Sequence, residues 1–117
     1  MDFTIDPIKE SEYVEVVEIW ESSVRATHNF LTEEDIQYFK PLILKEYLKA
    51  VELRSARDAE GKILGFLGVA DRGLEMLFLD PKWIGKGVGA KLMKYALHHF
   101  EVNKVDVNEQ NPQAVEF

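Results

Sequence analysis

Leu74-Glu75-Met76-Leu77-Phe78-Leu79-Asp80-Pro81-Lys82-Trp83-Ile84-Gly85-Lys86-Gly87-Val88-Gly89-Ala90-Lys91-Leu92 is the stretch that decides how this chain folds. Its first six residues are almost all apolar, as in a strand covered on both faces. Gly85, Gly87 and Gly89 follow closely, and helical spacing then begins at Val88, Leu92, Tyr95, Ala96 and His99. A strand that enters a glycine-rich bend and leaves as a helix is suited to bind an anion. Glycine lets the backbone come close to a ligand, and the first amides of a helix have no internal partner. The helix dipole adds about half a positive charge at that end. Lys86 and Lys91 flank the bend. Pyrophosphate binding is the functional reading of this bend. Close packing of helix on strand is the purely structural one.

Outward from the bend, the residues alternate between helical and strand patterns. Val105-Asp106-Val107 reads as a short strand, so 74–79, the helix 87–100 and 104–108 form a parallel crossover. Upstream, Lys62 to Ala70 is a strand entered by the Glu60-Gly61 turn, and Asp71-Arg72-Gly73 is a tight turn. Val51 to Asp58 alternates weakly. Phe3 to Asp6 starts the chain as a strand, followed by a helix from about Glu10 to Ala26 with Tyr13, Val16, Val17, Trp20 and Val24 on one face. Thr32 should cap a second helix whose first turn is acidic, and Pro41 should kink or break it. Asn111-Pro112 begins another helix. The expected architecture is a single domain of mixed α/β and α+β character, a central mixed sheet flanked by helices.

The chain has 117 residues, enough for one core, with 46% hydrophobic and 30% charged residues. No apolar run approaches the roughly 18 residues of a membrane span, and the N-terminus lacks the regions of a signal peptide. The absence of cysteine excludes disulfides and thiol catalysis and fits a reducing, cytoplasmic compartment. A net charge of −7 argues against nucleic-acid and membrane surfaces. The charge is uneven. Residues 81–104 carry five lysines against Glu101, a net +4 on an otherwise acidic chain. A small basic island suits a compact polyanion, although a lysine-rich solvated helix face would look the same.

Two nucleotide motifs bear on the bend. Gly85-Lys86-Gly87-Val88-Gly89-Ala90 satisfies the dinucleotide fingerprint, and Asp106 falls near its acidic position. In that fold, however, the first glycine follows the strand almost directly, whereas Asp80 to Ile84 intervene here. The Walker pattern is absent.

Leu77 to Met93 resembles the acetyl-CoA-binding motif of the GNAT N-acetyltransferases, [QR]-x-x-G-x-[GA] after a strand. Gly87 and Gly89 match, and Ile84 stands where Gln or Arg is usual. Asn111 to Phe117 is similar to the family's N-x-x-A-x-x-F-[Y] segment, and Trp20 to Thr32 resembles a bacterial subgroup. The resemblance implies direct transfer of an acetyl group from acetyl-CoA to a small-molecule or peptide amine, with no metal. It implies that main-chain groups of Leu77 and Leu79 hold the pantetheine arm and thioester. The bend from Ile84 through Gly85, Lys86, Gly87, Val88, Gly89 and Ala90 to Lys91 would hold the pyrophosphate, and Asn111 would lie near the pantetheine.

An amine acceptor with a pKa near 10 must lose a proton before attack. Glu75 is the best-placed carboxylate and could act through water. By strand alternation it shares a face with Leu77 and Leu79. His28 is the second candidate base, while His98 and His99 read as structural cations at a helix end. The family's usual tyrosine acid would follow Phe117, where the sequence stops. The resemblance therefore implies that the last helix and two C-terminal strands are missing, so that the edge at 104–108 invites a homodimer. Set against the enzyme is a CoA-binding fragment that turns over little.

Overall fold

The structure, a computed structural model, describes residues 3–27 and 31–105. The strands are β1 (Thr4–Pro7), β2 (Glu52–Arg57), β3 (Ile63–Ala70), β4 (Gly73–Leu79) and β5 (Lys104–Val105). The helices are α1 (Tyr13–Thr27), α2 (Glu33–Leu42) and α3 (Val88–His99). The strands form one sheet in the order β1-β2-β3-β4-β5. The first four run antiparallel, and β5 pairs parallel to β4, as the crossover requires. The fold is thus the expected mixed sheet between helical layers. His28, Asp106 and the Asn111–Phe117 segment lie outside the described residues.

Each sheet face buries its own cluster. On one side Val16, Val17, Trp20 and Val24 of α1, with Ile36 of α2, meet Leu53, Ile63 and Phe66. Tyr13, the fifth residue of the predicted stripe, is only half-buried there. On the other side Val88, Leu92 and Ala96 of α3 meet Leu64, Leu67, Leu74, Leu77 and Leu79. Of the positions predicted for α3, Val88, Leu92 and Ala96 are in the core, whereas Tyr95 is half-buried and His99 exposed. His99 instead stacks on Tyr95 with ring centroids 4.7 Å apart.

The break expected near Pro41 is present: α2 ends at Leu42, and the segment continues as a π turn over Ile43–Tyr47 and a 3-10 turn over Leu48–Ala50. Proline removes one helical donor, and Ile36, Ile43 and Leu48 stay buried along the segment, so the chain continues in a wider turn. The expectation for Glu75 fails: it does not join the buried stripe of Leu77 and Leu79. Gly68 pairs with Met76 but Val69 with Leu74, so Glu75 is the extra residue of a β-bulge. The bulge returns Leu74 to the α3 side and leaves Glu75 exposed.

Thr32 caps α2 as expected: its Oγ1 accepts the Asp35 amide at 3.1 Å, and Asp35 returns a carboxylate to the Thr32 amide at 3.0 Å. A less legible clamp joins the N-terminus to the sheet. Arg57 donates to both oxygens of Glu12 at 2.6 and 2.9 Å and to the Pro7 carbonyl at 3.2 Å. The Arg57 hydrogen bonds, with help from the Lys9 amide, hold the Glu12 carboxyl at about 2, below its ordinary 4.5. A carboxyl lowered on folding stabilises fully above its unfolded pKa and loses that contribution as pH falls. Arg57→Ala is expected to cost about 1–3 kcal/mol near neutral pH. In urea unfolding the gap between wild type and variant should close as pH falls from 4.5 toward 2.

Candidate active site

The site begins where β4 ends. Asp80 closes the strand, its amide donating to the Leu64 carbonyl at 2.9 Å. Its side chain then accepts the Lys82 amide at 3.0 Å and starts a 3-10 turn, Pro81–Trp83. Trp83 and Ile84 are half-buried against the α3-side core. The Asp80-to-Ile84 spacer is therefore a packed plug that sets the bend off from the strand.

Gly85 and Gly87 have φ of +80° and +89°, a region L side chains rarely adopt. A Cβ at either position would meet nothing within 4 Å. These glycines are thus required by backbone shape, and the space above them is open. Gly87 occupies the N-cap of α3 without any side-chain cap. The first helical bond runs from the Lys91 amide to the Gly87 carbonyl at 3.1 Å, so the amides of Val88, Gly89 and Ala90 precede the ladder. The contrast with α2 is direct: there Thr32 Oγ1 takes the Asp35 amide, the donor equivalent to Ala90, and the Asp35 carboxylate takes the N-cap amide.

The structure sorts the predicted bend residues. Gly85, Lys86, Gly87 and Ala90 are exposed, while Val88 and Gly89 bury their side of the helix. The Ile84 amide points back to the Pro81 carbonyl at 3.4 Å, and the Lys91 amide is inside the helix. Neither amide is available to a ligand, so the free helical donors run from Val88 to Ala90. The Lys91 ammonium is also engaged. It donates to the Phe3 carbonyl at 3.1 Å and lies 4.8 Å from the Phe3 ring centroid. Sequence reading could not foresee this, because Phe3 and Lys91 lie at opposite ends of the chain. An open depression of about 330 Å³ adjoins the bend, lined by Gly87, Ala90, Lys91 and Lys94.

The edge of β4 supplies the second part. The Asp80–Leu64 bond fixes the phase of the antiparallel ladder: Phe78–Phe66 and Met76–Gly68 are hydrogen-bonded pairs. Leu77 and Leu79 therefore direct their N–H and C=O groups away from β3. The described part of β5 takes that edge beside Gly73 and Leu74. Among the described residues, the edge from Leu77 to Leu79 is open. Glu75 sits between the paired and open parts, on the bulge, and forms no hydrogen bond or ion pair among the described residues. Here the open edge and the uncapped helix fit an extended chain ending in a diphosphate.

A sequence profile for the acetyltransferase (GNAT) domain matches residues 25–117. The chain belongs to the GNAT family of acetyltransferases, enzymes that move an acetyl group from acetyl-CoA to an amine. Among curated relatives, the peptidyl-lysine N-acetyltransferase YjaB of Escherichia coli (strain K12) is 35% identical over all of this chain and 79% of its own length. The peptidyl-lysine N-acetyltransferase YiaC of the same strain is 28% identical, over 92% of this chain and 73% of its own. The solution structure of apo YjaB superposes with a TM-score of 0.86, covering the whole chain and 79% of that one. The PaiA N-acetyltransferase of Thermoplasma acidophilum, solved with coenzyme A, shares the fold at a TM-score of 0.80 and 19% identity, over the whole chain and 86% of its own. None of the described helices is long and apolar enough to cross a membrane.

Proposed function

We propose that this chain is one N-acetyltransferase domain whose acceptor is the lysine side chain of a peptide or protein, working in the cytoplasm. The observation that carries this is a coincidence at one end of β4: a main-chain edge at Leu77 and Leu79, open among the described residues, meets an uncapped helix start at Gly87. The names of YjaB and YiaC support the acceptor class. So does the net charge of −7, which favours a cationic acceptor.

Acetyl-CoA, when bound, supplies the activated acetyl group and a thiolate leaving group. The chain's own residues bind and orient it. Leu77 and Leu79 offer main-chain donors and acceptors to the pantetheine, and the amides of Val88, Gly89 and Ala90 offer donors to the diphosphate. Asn111 joins them through its match to the family segment. Glu75, exposed beside the open edge, accepts a proton from the acceptor ammonium, directly or through one water. A lysine of pKa near 10.4 is almost wholly protonated at neutral pH, so this step is needed for attack. His28 is the second candidate on sequence grounds.

The test is thiol release from acetyl-CoA with two peptides. One has a blocked N-terminus and one free lysine, and the other has a free N-terminus and arginine in place of lysine. Release with a single acetyl mass gain on the first peptide alone is expected. Acetylation of the second alone would overturn the acceptor class. Tight CoA binding without release on either would instead support a binding module.

A further inference from the structure

A depression of about 400 Å³ lies at the other end of the sheet from the bend. Its walls include the Asp71-Arg72 turn that leads into β4 and Phe100, just after α3, whereas the bend joins the end of β4 to the start of α3. β4 has seven residues, so the two places are about 20 Å apart. Both signs of charge face this depression: Lys49 and Arg72 beside Glu52 and Asp71. They do not neutralise one another. Among the described residues, the side chains of Lys49, Glu52 and Asp71 form no hydrogen bond or ion pair. Arg72 engages only its Nε, which donates to the Glu101 carbonyl at 3.2 Å. The floor is apolar, with Val51 half-buried and Val69 buried. Phe100 is held in place by the Arg54 guanidinium, 4.9 Å from its ring centroid, and by His99 edge-on at 4.8 Å. Asp71 and Arg72 have φ of +50° and +61°, as in a two-residue hairpin turn. Glycine suits the second position best, yet arginine stands there and lines the depression.

We propose that this depression is a binding site for a free α-amino acid with a large apolar side chain. The carboxylate meets Lys49 and the Arg72 Nη groups, the ammonium meets Glu52 and Asp71, and the side chain lies on Val51, Val69 and Phe100. A ligand of a single charge would face two wall residues of its own sign. An amphoteric ligand gives each wall residue an opposite charge and the charge-assisted hydrogen bonds that go with it. The apolar floor selects against the smallest amino acids, because buried apolar surface supplies much of what so small a molecule gains. This site stands independently of the diphosphate reading of the bend. Its floor belongs to the bulge instead. Val69 pairs with Leu74 beside the register slip, and Val51 lies so close to Gly68 that a Cβ there would meet its Cγ2 at 2.8 Å. An occupant therefore rests on the strand pair that sets out Glu75, not on the edge at Leu77 and Leu79.

The experiment follows amide shifts of the ¹⁵N-labelled chain, without acetyl-CoA, during titration with L-phenylalanine and two controls. One control is its amide, which lacks the carboxylate, and the other is its N-acetyl derivative, which lacks the ammonium. L-Phenylalanine is expected to saturate with a Kd of about 1 mM, in keeping with so few heavy atoms. It should shift Val69, Asp71, Arg72 and Phe100 and leave Val88 to Ala90 unmoved. Each control, and glycine, should bind at least about tenfold more weakly. Asp71→Asn, which tolerates a positive φ, and Lys49→Ala should each weaken L-phenylalanine several-fold. Both residues are exposed, so the variants are expected to fold, and an unchanged amide spectrum away from the depression verifies it. Absence of saturation, shifts centred elsewhere, controls that bind as well as the amino acid, or full affinity in both variants would overturn the site. None of these outcomes bears on CoA, whose failure to bind at the bend would show in the Val88 to Ala90 amides of a separate CoA titration.

Discussion

Gly87→Trp is expected to abolish measurable CoA binding, a loss of at least about 100-fold, while the domain stays folded. Two effects act together. Gly87 sits at φ +89°, where an L residue costs about 1–2 kcal/mol. A side chain built there enters open space and not the core, since nothing lies within 4 Å of its Cβ. The protein can therefore tolerate the strain, but the indole would occupy the volume above the Val88, Gly89 and Ala90 amides. Binding is read by titration calorimetry and folding by circular dichroism and thermal unfolding. Gly85→Ala is the milder control, because Gly85 has the same kind of backbone angle (+80°) and lies earlier in the bend. Unchanged CoA affinity in a folded Gly87→Trp protein would refute the phosphate assignment.

The second large effect is on turnover. Glu75→Gln should lower kcat for a lysine peptide by about 10²- to 10³-fold, with little change in KM for acetyl-CoA. Glu75 is exposed on the bulge and makes no described polar contact, so the variant should keep its stability within about 0.5 kcal/mol. A wild-type kcat in Glu75→Gln would move the base elsewhere, with His28 next in line. If the carboxylate acts only on the acceptor ammonium, the defect should shrink as pH is raised toward the acceptor's own pKa. A merely structural role would not produce that pH profile.

Much of this architecture is visible in the residues because it is local. The bend needs glycine where φ is positive, and Gly85 and Gly87 supply it. α2 needs a cap, and Thr32 with Asp35 provides it. The stripes on α1 and α3 follow from helical spacing, and Trp20 proves to be core. The rest depends on partners distant in sequence. Glu75 leaves its expected face because of a slip opposite Gly68 and Val69, which alternation within β4 cannot reveal. The Lys91 ammonium is drawn to Phe3 and the Ile84 side chain against the core, both through tertiary packing. Which groups of Leu77 and Leu79 face away from β3 likewise depends on the ladder phase set by the Asp80–Leu64 bond. Local rules thus located the bend, while the ladder phase decided which groups face outward.

Main-chain donors at the start of α3 and along β4 at Leu77 and Leu79 should be what holds coenzyme A, and amide chemical shifts of the ¹⁵N-labelled chain during titration with CoA will read those donors one by one. The largest shifts should fall on Val88, Gly89 and Ala90, then on Leu77 and Leu79, with Thr32 and Asp35 at the capped start of α2 unmoved. Saturating CoA that leaves the Val88 to Ala90 amides in place would overturn this assignment.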